Sequence, residues 1–189
     1  MADDNVYRRE DEEITAVELL QALDGGYERV LISRCTIRGN VDSSTVHDGE
    51  NYVVRAGVQM RQCTFEGSVS FERTEFQAEV SLEHTEFQAR TSFEHARFVR
   101  TIDLSGAIFN ASTVFRHAQF ESGAILRGVG FLGGTSFAGA ELQGEANFAN
   151  AVFQETANFS GMRFQGRAVF SGAEFVGGAH FQRTRFQAS

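Results

Sequence analysis

Phenylalanine recurs along this sequence at steps that alternate between five and six residues, and no other feature constrains the fold as much. All 19 Phe lie on this ladder, and four Leu occupy the positions at which Phe is missing. The 23 rungs of the ladder are Phe65, Phe71, Phe76, Leu82, Phe87, Phe93, Phe98, Leu104, Phe109, Phe115, Phe120, Leu126, Phe131, Phe137, Leu142, Phe148, Phe153, Phe159, Phe164, Phe170, Phe175, Phe181 and Phe186. Large apolar residues at so regular a period predict a repeat structure in which every unit buries one rung in a shared core.

A second, small or β-branched residue stands two positions before most rungs, as at Val69, Thr74 and Ala96. Residues two apart in an extended chain point to the same side. Each unit is therefore predicted to be a very short strand that directs one small and one large side chain inwards. The links between units alternate between two and three residues, and the middle residue of the longer link is usually Gly, Ala or Ser. This pattern predicts a tight corner at which that residue has a positive φ.

The Leu rungs predict how many sides a coil has. Leu82, Leu104 and Leu126 are spaced 22 residues apart, and Phe148 continues the series. The inward partner shrinks where Leu changes to Phe, as at Ala146, so the volume of one corner of the core is conserved. Since a single period of 11 residues is too short to enclose two inward Phe, we predict an all-β solenoid with four sides and about 22 residues per coil.

The large central apolar residue, the small residue two positions before it and the steps near five resemble the pentapeptide-repeat family, over about residues 30–189. The sequence departs from the commonest family motif, Ala-Asp/Asn-Leu-x-x. It has Phe in the centre, lacks a sustained Asp/Asn column and inserts a sixth residue in alternate units. It is closer to the Phe-rich branch of the family. The resemblance implies a right-handed, quadrilateral β-helix.

The N-terminal part departs from the ladder. Thr15 and Glu18 have the spacing of a helix capping box, and the helix that follows is predicted to be a lid on the first coil. The predicted segments are a disordered acidic N-terminus (1–13), a capping helix (14–26) and the β-helix (27–189) with an irregular loop at about 43–51.

The two cysteines are predicted to stack in adjacent coils. Cys35 and Cys63 are 28 residues apart, which equals one coil of 22 plus a loop of about six. Two alternatives follow: a pair of buried thiols that act as small apolar residues, which we favour, or a disulfide.

Charge and composition exclude several classes of function. The chain has a net charge of −8, but residues 65–189 contain 13 acidic residues and 10 Arg, so the repeats carry only −3. No basic face for nucleic acid is visible. The N-terminus is not a signal peptide, and no apolar run approaches the ~20 residues of a membrane helix. We expect a cytoplasmic protein that binds neither nucleic acid directly nor a membrane.

Catalytic motifs are missing as well. The sequence has no glycine-rich phosphate loop before a long helix, no His-Glu-x-x-His and no Cys-x-x-Cys. His95 and His117 are 22 residues apart and therefore neighbours at one corner, which makes them weak candidates for a metal site. Corner histidines are usually solvated, and Arg73 one coil away disfavours a cation. We predict no enzyme, no catalytic residue, no cofactor and no metal beyond this weak pair.

Three functions are weighed. The first is a non-catalytic scaffold that binds a protein of unknown identity, for which outward apolar residues at Ile108, Val114, Ile125, Val152 and Val169 would be one surface. The second is implied by the resemblance, since some pentapeptide-repeat proteins mimic DNA, bind type II topoisomerases such as DNA gyrase, and protect them from inhibitors. The third, an enzyme or metal protein centred on the His pair, is the least favoured.

The end of the sequence bears on the partner. The final rung lies three residues before the last one, so the last coil is expected to leave its hydrogen bonds and Phe edges open. Either this coil pairs with a second copy in a homodimer, or the natural chain continues.

Overall fold

The protein is a four-sided β-solenoid of about eight coils, with one helix at its N-terminal end. The computed structural model describes residues 5–46 and 52–187. Successive strands along the chain belong to successive sheets, and every pairing between strands is parallel in this part of the chain. We name the four sheets faces 1 to 4, in the order in which each coil visits them.

Face 1 consists of Val6–Glu10, Arg29–Ser33, Gly57–Arg61, Val80–Ser81, Ile102–Asp103, Gly123–Ile125, Glu145–Asn147 and Ala168–Val169. Face 2 consists of Glu13–Thr15, Thr36–Arg38, Thr64–Phe65, Glu86–Phe87, Ile108–Phe109, Gly130–Phe131, Val152–Phe153 and Glu174–Phe175. Face 3 consists of Val41–Asp42, Val69–Ser70, Thr91–Ser92, Thr113–Val114, Thr135–Ser136, Ala157–Asn158 and Ala179–His180. Face 4 consists of Val53–Val54, Glu75–Phe76, Arg97–Phe98, Gln119–Phe120, Glu141–Leu142, Arg163–Phe164 and Arg185–Phe186.

The coil length predicted from the Leu rungs is confirmed. In face 1, Val80 pairs with Ile102, which in turn pairs with Ala124, so paired residues have the same spacing as the Leu rungs. In face 2, Phe87 pairs with Phe65 on one side and with Phe109 on the other. Backbone hydrogen bonds between coils satisfy amides that strands of two residues cannot satisfy alone.

The core is a set of stacked Phe columns. In face 2, the rings of Phe87 and Phe109 are 4.6 Å apart and nearly parallel, at 7°. Neighbouring columns meet edge to face, as at Phe131 and Phe137, whose ring centres are 6.0 Å apart at 90°. Both arrangements suit the quadrupole of the ring. The Phe rungs up to Phe164 are buried, and each contributes ~1.5–3 kcal/mol to stability.

The N-terminal segment corrects the expectation that residues 1–13 are disordered. Val6–Glu10 pairs with Arg29–Ser33 along its whole length, and Glu13–Thr15 pairs with Thr36–Arg38. The cause is the open edge of the next coil, whose hydrogen-bonding groups the segment occupies. Tyr7 also packs against the core. Residues 1–4 lie outside the described residues.

The predicted capping helix is present, but it begins two residues later, at Ala16–Asp24. Its first predicted residue, Ile14, is a buried strand residue paired with Ile37. The capping box forms as expected: the amide of Glu18 donates to the Thr15 hydroxyl at 3.2 Å, and the Thr15 amide donates to the Glu18 carboxylate at 2.7 Å. The helix stands where faces 3 and 4 of the first coil would be, and it buries its apolar side in the core.

The irregular loop predicted at 43–51 begins with a 3-10 turn, Ser43–Val46, and its residues 47–51 lie outside the described part of the chain. Strands on either side are offset by one coil plus the loop, as in the pairing of Thr36 with Thr64. The predicted stacking of the cysteines follows from this register, since the Thr64 amide donates to the Cys35 carbonyl at 2.9 Å. Both thiols are free and buried, which is the favoured alternative.

The corners correct a second expectation. Positive φ occurs at the second residue of the two-residue links, as at Arg73 (54°) and His84 (53°), and among the middle residues of the three-residue links it is found at Gly39. Most of the three-residue links need a small middle residue for a different reason. A Cβ at Gly144 would lie 1.8 Å from the Ser122 carbonyl oxygen. These positions are small because adjacent coils approach closely there.

Candidate interaction surfaces

The outward side chains form columns along the solenoid. On each strand the residue before the rung points outwards and stands next to its equivalent in the adjacent coil. The core fixes the spacing of these columns, while their chemistry is free to differ from face to face. Any binding site on the four faces is therefore a pattern of such columns.

Face 4 presents a chain of ion pairs. Arg97 donates to Glu75 and to Glu121, both at 2.7 Å, and so connects three consecutive coils. Two coils beyond Arg97, Glu141 accepts a hydrogen bond from Arg163 of the following coil. The acidic groups of this face are thus already neutralised by the chain itself.

The titration of Glu75 reflects this environment. A hydrogen bond from Gln77, followed by the one from Arg97, holds the pKa of the Glu75 carboxyl below its ordinary value. The Glu75 carboxylate is therefore ionised at neutral pH, and its oxygens already accept hydrogen bonds from Gln77 and Arg97. It contributes little unpaired negative charge to a partner.

Face 1 is concave. It contains the longest strands of the solenoid, such as Gly57–Arg61, and small outward residues such as Gly57 and Ser81 leave a groove of about 420 Å³. Leu31, Asp103 and Ile125 also line it, and Arg61 at its side is ion-paired with Glu83 at 3.0 Å. The groove is open and mixed in polarity, and the Ser81 hydroxyl in its lining donates to the Glu83 carboxylate at 3.0 Å, the same carboxylate that pairs with Arg61.

Face 2 carries an exposed apolar patch. Ile108, Gly130 and Val152 follow one another in the outward column, since Gly130 pairs with both of the others. Leu132 and Val176, each directly after a rung, stand in the neighbouring column. Ile108, Leu132 and Val176 are 42%, 43% and 60% exposed. We call these five residues the face 2 patch.

The structure divides the apolar residues singled out in the sequence among three faces. It brings Ile108 and Val152 together on face 2, but Val114 lies on face 3, and Ile125 and Val169 lie on face 1. The expected single surface is therefore only partly correct.

The periodicity does not single out Leu132 and Val176, because residues directly after a rung belong to the links between units. A sequence signal for them exists: each is followed by two glycines, in Phe-Leu-Gly-Gly at 131–134 and Phe-Val-Gly-Gly at 175–178. Glycines without side chains leave the preceding apolar residue uncovered, so this pattern indicates exposure.

His95 and His117 are neighbours, as the coil length predicts, but as stacked rings 5.0 Å apart at 17°. The lone pairs of imidazole nitrogens lie in the ring plane, so nearly parallel rings direct them along lines that do not converge on one ion. Within residues 5–46 and 52–187, no three His, Cys, Asp or Glu side chains form a metal-binding group. Both residues occupy left-handed corners, where the His117 ring covers Gly139.

The repeat pattern is shared with known proteins. The family profile described as pentapeptide repeats (9 copies) matches residues 53–97, 93–141, 115–162 and 148–189, which together span most of the chain. The chain belongs to the pentapeptide-repeat family. Proteins of this family are generally non-catalytic and commonly mediate protein interactions.

Other comparisons are weaker. The crystal structure of HetL, a pentapeptide repeat protein involved in heterocyst differentiation regulation from the cyanobacterium Nostoc sp. strain PCC 7120, aligns with 91% of this chain and 84% of that chain. The identity is 14% and the TM-score 0.20, a likeness that carries no argument about function. No protein of curated function matches the sequence.

The Cys63 thiol of this pentapeptide-repeat protein is a poor nucleophile. Burial raises the pKa of the Cys63 thiol to about 11, so the thiolate is scarce at neutral pH. The sulfur faces the Ile32 and Arg61 carbonyl oxygens, at 3.6 and 3.5 Å. Its role is that of a small core residue.

In the described segments, no helix is long and apolar enough to cross a membrane.

Proposed function

We propose that this pentapeptide-repeat protein is a non-catalytic scaffold that binds another protein through the outside of its solenoid. The observation that carries the proposal is the face 2 patch, a cluster of aliphatic side chains of which three are exposed, in contrast to the ion-paired surface of face 4. Clustered exposed apolar residues are typical of sites that a partner covers.

The core makes such a surface effective. Each outward column is held by continuous backbone hydrogen bonds and by nearly parallel Phe stacks, such as Phe131 on Phe153 at 5.0 Å. A partner therefore meets side chains that are already in place, which lowers the entropy cost of association. The free thiols of Cys35 and Cys63 are consistent with a reducing compartment, and the proposal places the protein in the cytoplasm.

The experiment is face-resolved photo-crosslinking in the native host. A photoreactive amino acid replaces one outward residue per face: Gln59 on face 1, Leu132 on face 2, Val114 on face 3 and Gln119 on face 4. A scaffold gives one protein adduct that is restricted to one or two faces and is identified by mass spectrometry. Adducts of equal yield on all faces, or none on any, would contradict the proposal.

A DNA mimic that protects a type II topoisomerase is the alternative. In this alternative two copies would pair through the coil that contains Phe181 and Phe186, which are 39% and 57% exposed. The pairing of Glu75 and Glu141 with arginines on face 4 disfavours it, since mimicry needs free acidic groups in rows. The test is a gyrase supercoiling assay with and without a quinolone. Inhibition or drug protection at micromolar protein would put this function first, and no effect from the folded protein would remove it.

A further inference from the structure

The apolar side chains of the face 2 patch form a zigzag along the solenoid axis. Ile108, Leu132, Val152 and Val176 come from four consecutive coils and alternate between two adjacent columns. Coils in parallel sheets are ~4.8 Å apart, so the four side chains span about 14 Å along the solenoid axis, with an axial rise near 5 Å from one to the next.

Gly130 makes a notch in the middle of this zigzag. It occupies an outward position between Ile108 and Val152, and a Cβ built on it would have no neighbour within 4 Å. Neither φ nor close packing requires glycine there, in contrast to Gly133 in the same coil, whose Cβ would meet backbone at 2.4 Å. The notch is open space in which a side chain from outside fits.

The rim of the patch is mainly acidic. Glu86 precedes Ile108 in the outward column, and Glu174 follows Val152. Glu155 lies one residue beyond the column of Leu132 and Val176. None of the three carboxylates forms an ion pair with another described residue, although Glu86 accepts a hydrogen bond from an amide on the same face.

One basic group stands near the rim. Arg127, at the corner between face 1 and Gly130, is exposed, and it too has no ion pair within the described part of the chain. With three carboxylates against one guanidinium, the rim is negative overall. It therefore favours a positively charged occupant.

A second copy of this chain does not suit the patch. The column is symmetric in charge, with Glu86 at one end, Glu174 at the other and apolar residues between. A two-fold pairing of face 2 with itself, parallel or antiparallel, places Glu opposite Glu. Like charges directly opposite each other oppose association, so the occupant brings cations of its own.

We propose that the face 2 patch docks an amphipathic helix of another protein, one whose apolar stripe is flanked by Lys or Arg. The inference rests on the proposed scaffold function. The axial rise near 5 Å from one apolar side chain to the next matches the 5.4 Å pitch of an α-helix lying along the solenoid axis, whereas the side chains on one face of a strand rise about 6.6 Å. The distance from Glu86 to Glu174 is four coils, or ~19 Å, which about 13 helical residues span.

The probe is a labelled synthetic peptide of about 18 residues with Leu at every third or fourth position and Arg at both ends. Fluorescence anisotropy measures its binding to the full chain. Two further peptides replace the terminal Arg by Gln or Glu, and a fourth contains the same residues in an order without the apolar stripe. We expect micromolar binding of the Arg peptide, at least about tenfold weaker binding of the Glu peptide, and none of the scrambled one.

Two substitutions locate the site. Leu132→Ser is expected to weaken binding of the Arg peptide by at least about tenfold, whereas Gln143→Ser, the equivalent position on face 4, leaves it unchanged. Gly130→Arg fills the notch with a cation and abolishes binding. Since open space surrounds Gly130, this variant keeps the melting temperature of the parent and separates docking from folding.

The results of these experiments distinguish failure of the helix-docking inference from failure of the scaffold function. Equal binding of the Arg and Glu peptides, or an equal effect of Leu132→Ser and Gln143→Ser, overturns the inference. So does failure of the Arg peptide to bind. If the peptides fail while crosslinking still gives an adduct restricted to face 1, 3 or 4, the scaffold function stands and the helix-docking patch does not.

Discussion

Faces 2 and 4 lie on opposite sides of the solenoid and share their inward architecture but not their outward chemistry. Inside, both stack large rungs with the same period, with rings 4.6 Å apart at Phe87–Phe109 and 5.1 Å apart at Phe98–Phe120. Outside, face 4 connects its coils through Arg97, whereas face 2 exposes Leu132. The inward columns thus specify the fold, and the outward columns distinguish one face from another.

The largest effect should be equal on the two faces. Phe131→Ala on face 2 and Phe120→Ala on face 4 each remove a buried rung from a stack, so each should lower the free energy of unfolding by about 3–5 kcal/mol. Urea titration measures this. A loss on only one face would show that the two inward columns are not equivalent.

The inward columns of the two faces should differ in how alkaline pH affects stability, because of one inward residue of face 2. Burial raises the pKa of Cys63, on face 2, from 9.0 to about 11. The unfolded chain therefore loses the Cys63 proton at a lower pH than the folded chain does. The stabilisation that depends on the protonated Cys63 thiol is complete below pH 9 and is lost as the pH rises to 11. We expect stability to fall by about 2–3 kcal/mol over this range.

Tyr52, on face 4, begins to affect stability only above pH 10, where the unfolded tyrosine ionises, because burial raises its pKa from 10.0 to about 12. Cys63→Ala should therefore remove most of the pH dependence between 9 and 10 in urea titrations. An unchanged pH dependence in this variant would refute the assignment to Cys63.

The corners after the two faces should again behave alike. A Cβ at Gly133 would lie 2.4 Å from the Ala111 carbonyl carbon, and one at Gly144 closer still to Ser122. Either change to Ala should cost about 1–3 kcal/mol. Gly134→Ala is the matched control, because its Cβ meets nothing within 4 Å. Thermal melting of the three variants would contradict this account if Gly134→Ala were the most damaging.

Exposed positions should show the smallest effects. Arg97→Ala removes two ion pairs on face 4, yet it should cost less than about 1 kcal/mol and still less at high salt. Leu132→Ser on face 2 should change stability by no more than about 0.5 kcal/mol. Urea titration at two salt concentrations tests both, and a salt-independent loss for Arg97→Ala would show that the ion pairs are not its cause.

The sequence predicts the inward columns well because close packing allows few residues at each rung. The coil length, the four sides and the buried Phe ladder all follow from the spacing of Phe and Leu. Val6–Glu10 was missed because its strand is held by the edge of the next coil and not by a rung of its own. The sequence places Ile14 in the helix for a similar reason, since its strand partner Ile37 lies in the next coil, beyond the helix.

The outward surface was harder to predict because no packing rule limits it. Alternation alone identified Ile108 and Val152 but could not say that Val114 faces another way, since that depends on which of the four faces a strand joins. Leu132 is exposed because its neighbours Gly133 and Gly134 have no side chains to cover it. The periodicity of apolar residues gives no information about such covering.

One measurement tests the central claim, that inward columns specify the fold while the outward residues of face 2 bind. A single variant combines Ile108→Thr, Leu132→Gln, Val152→Thr and Val176→Gln, and both urea unfolding and binding of the Arg peptide are measured on it. We predict a free energy of unfolding within about 1 kcal/mol of the parent and peptide binding weakened by at least about tenfold. A variant that fails to fold, or one that folds and binds the peptide as before, would contradict the account.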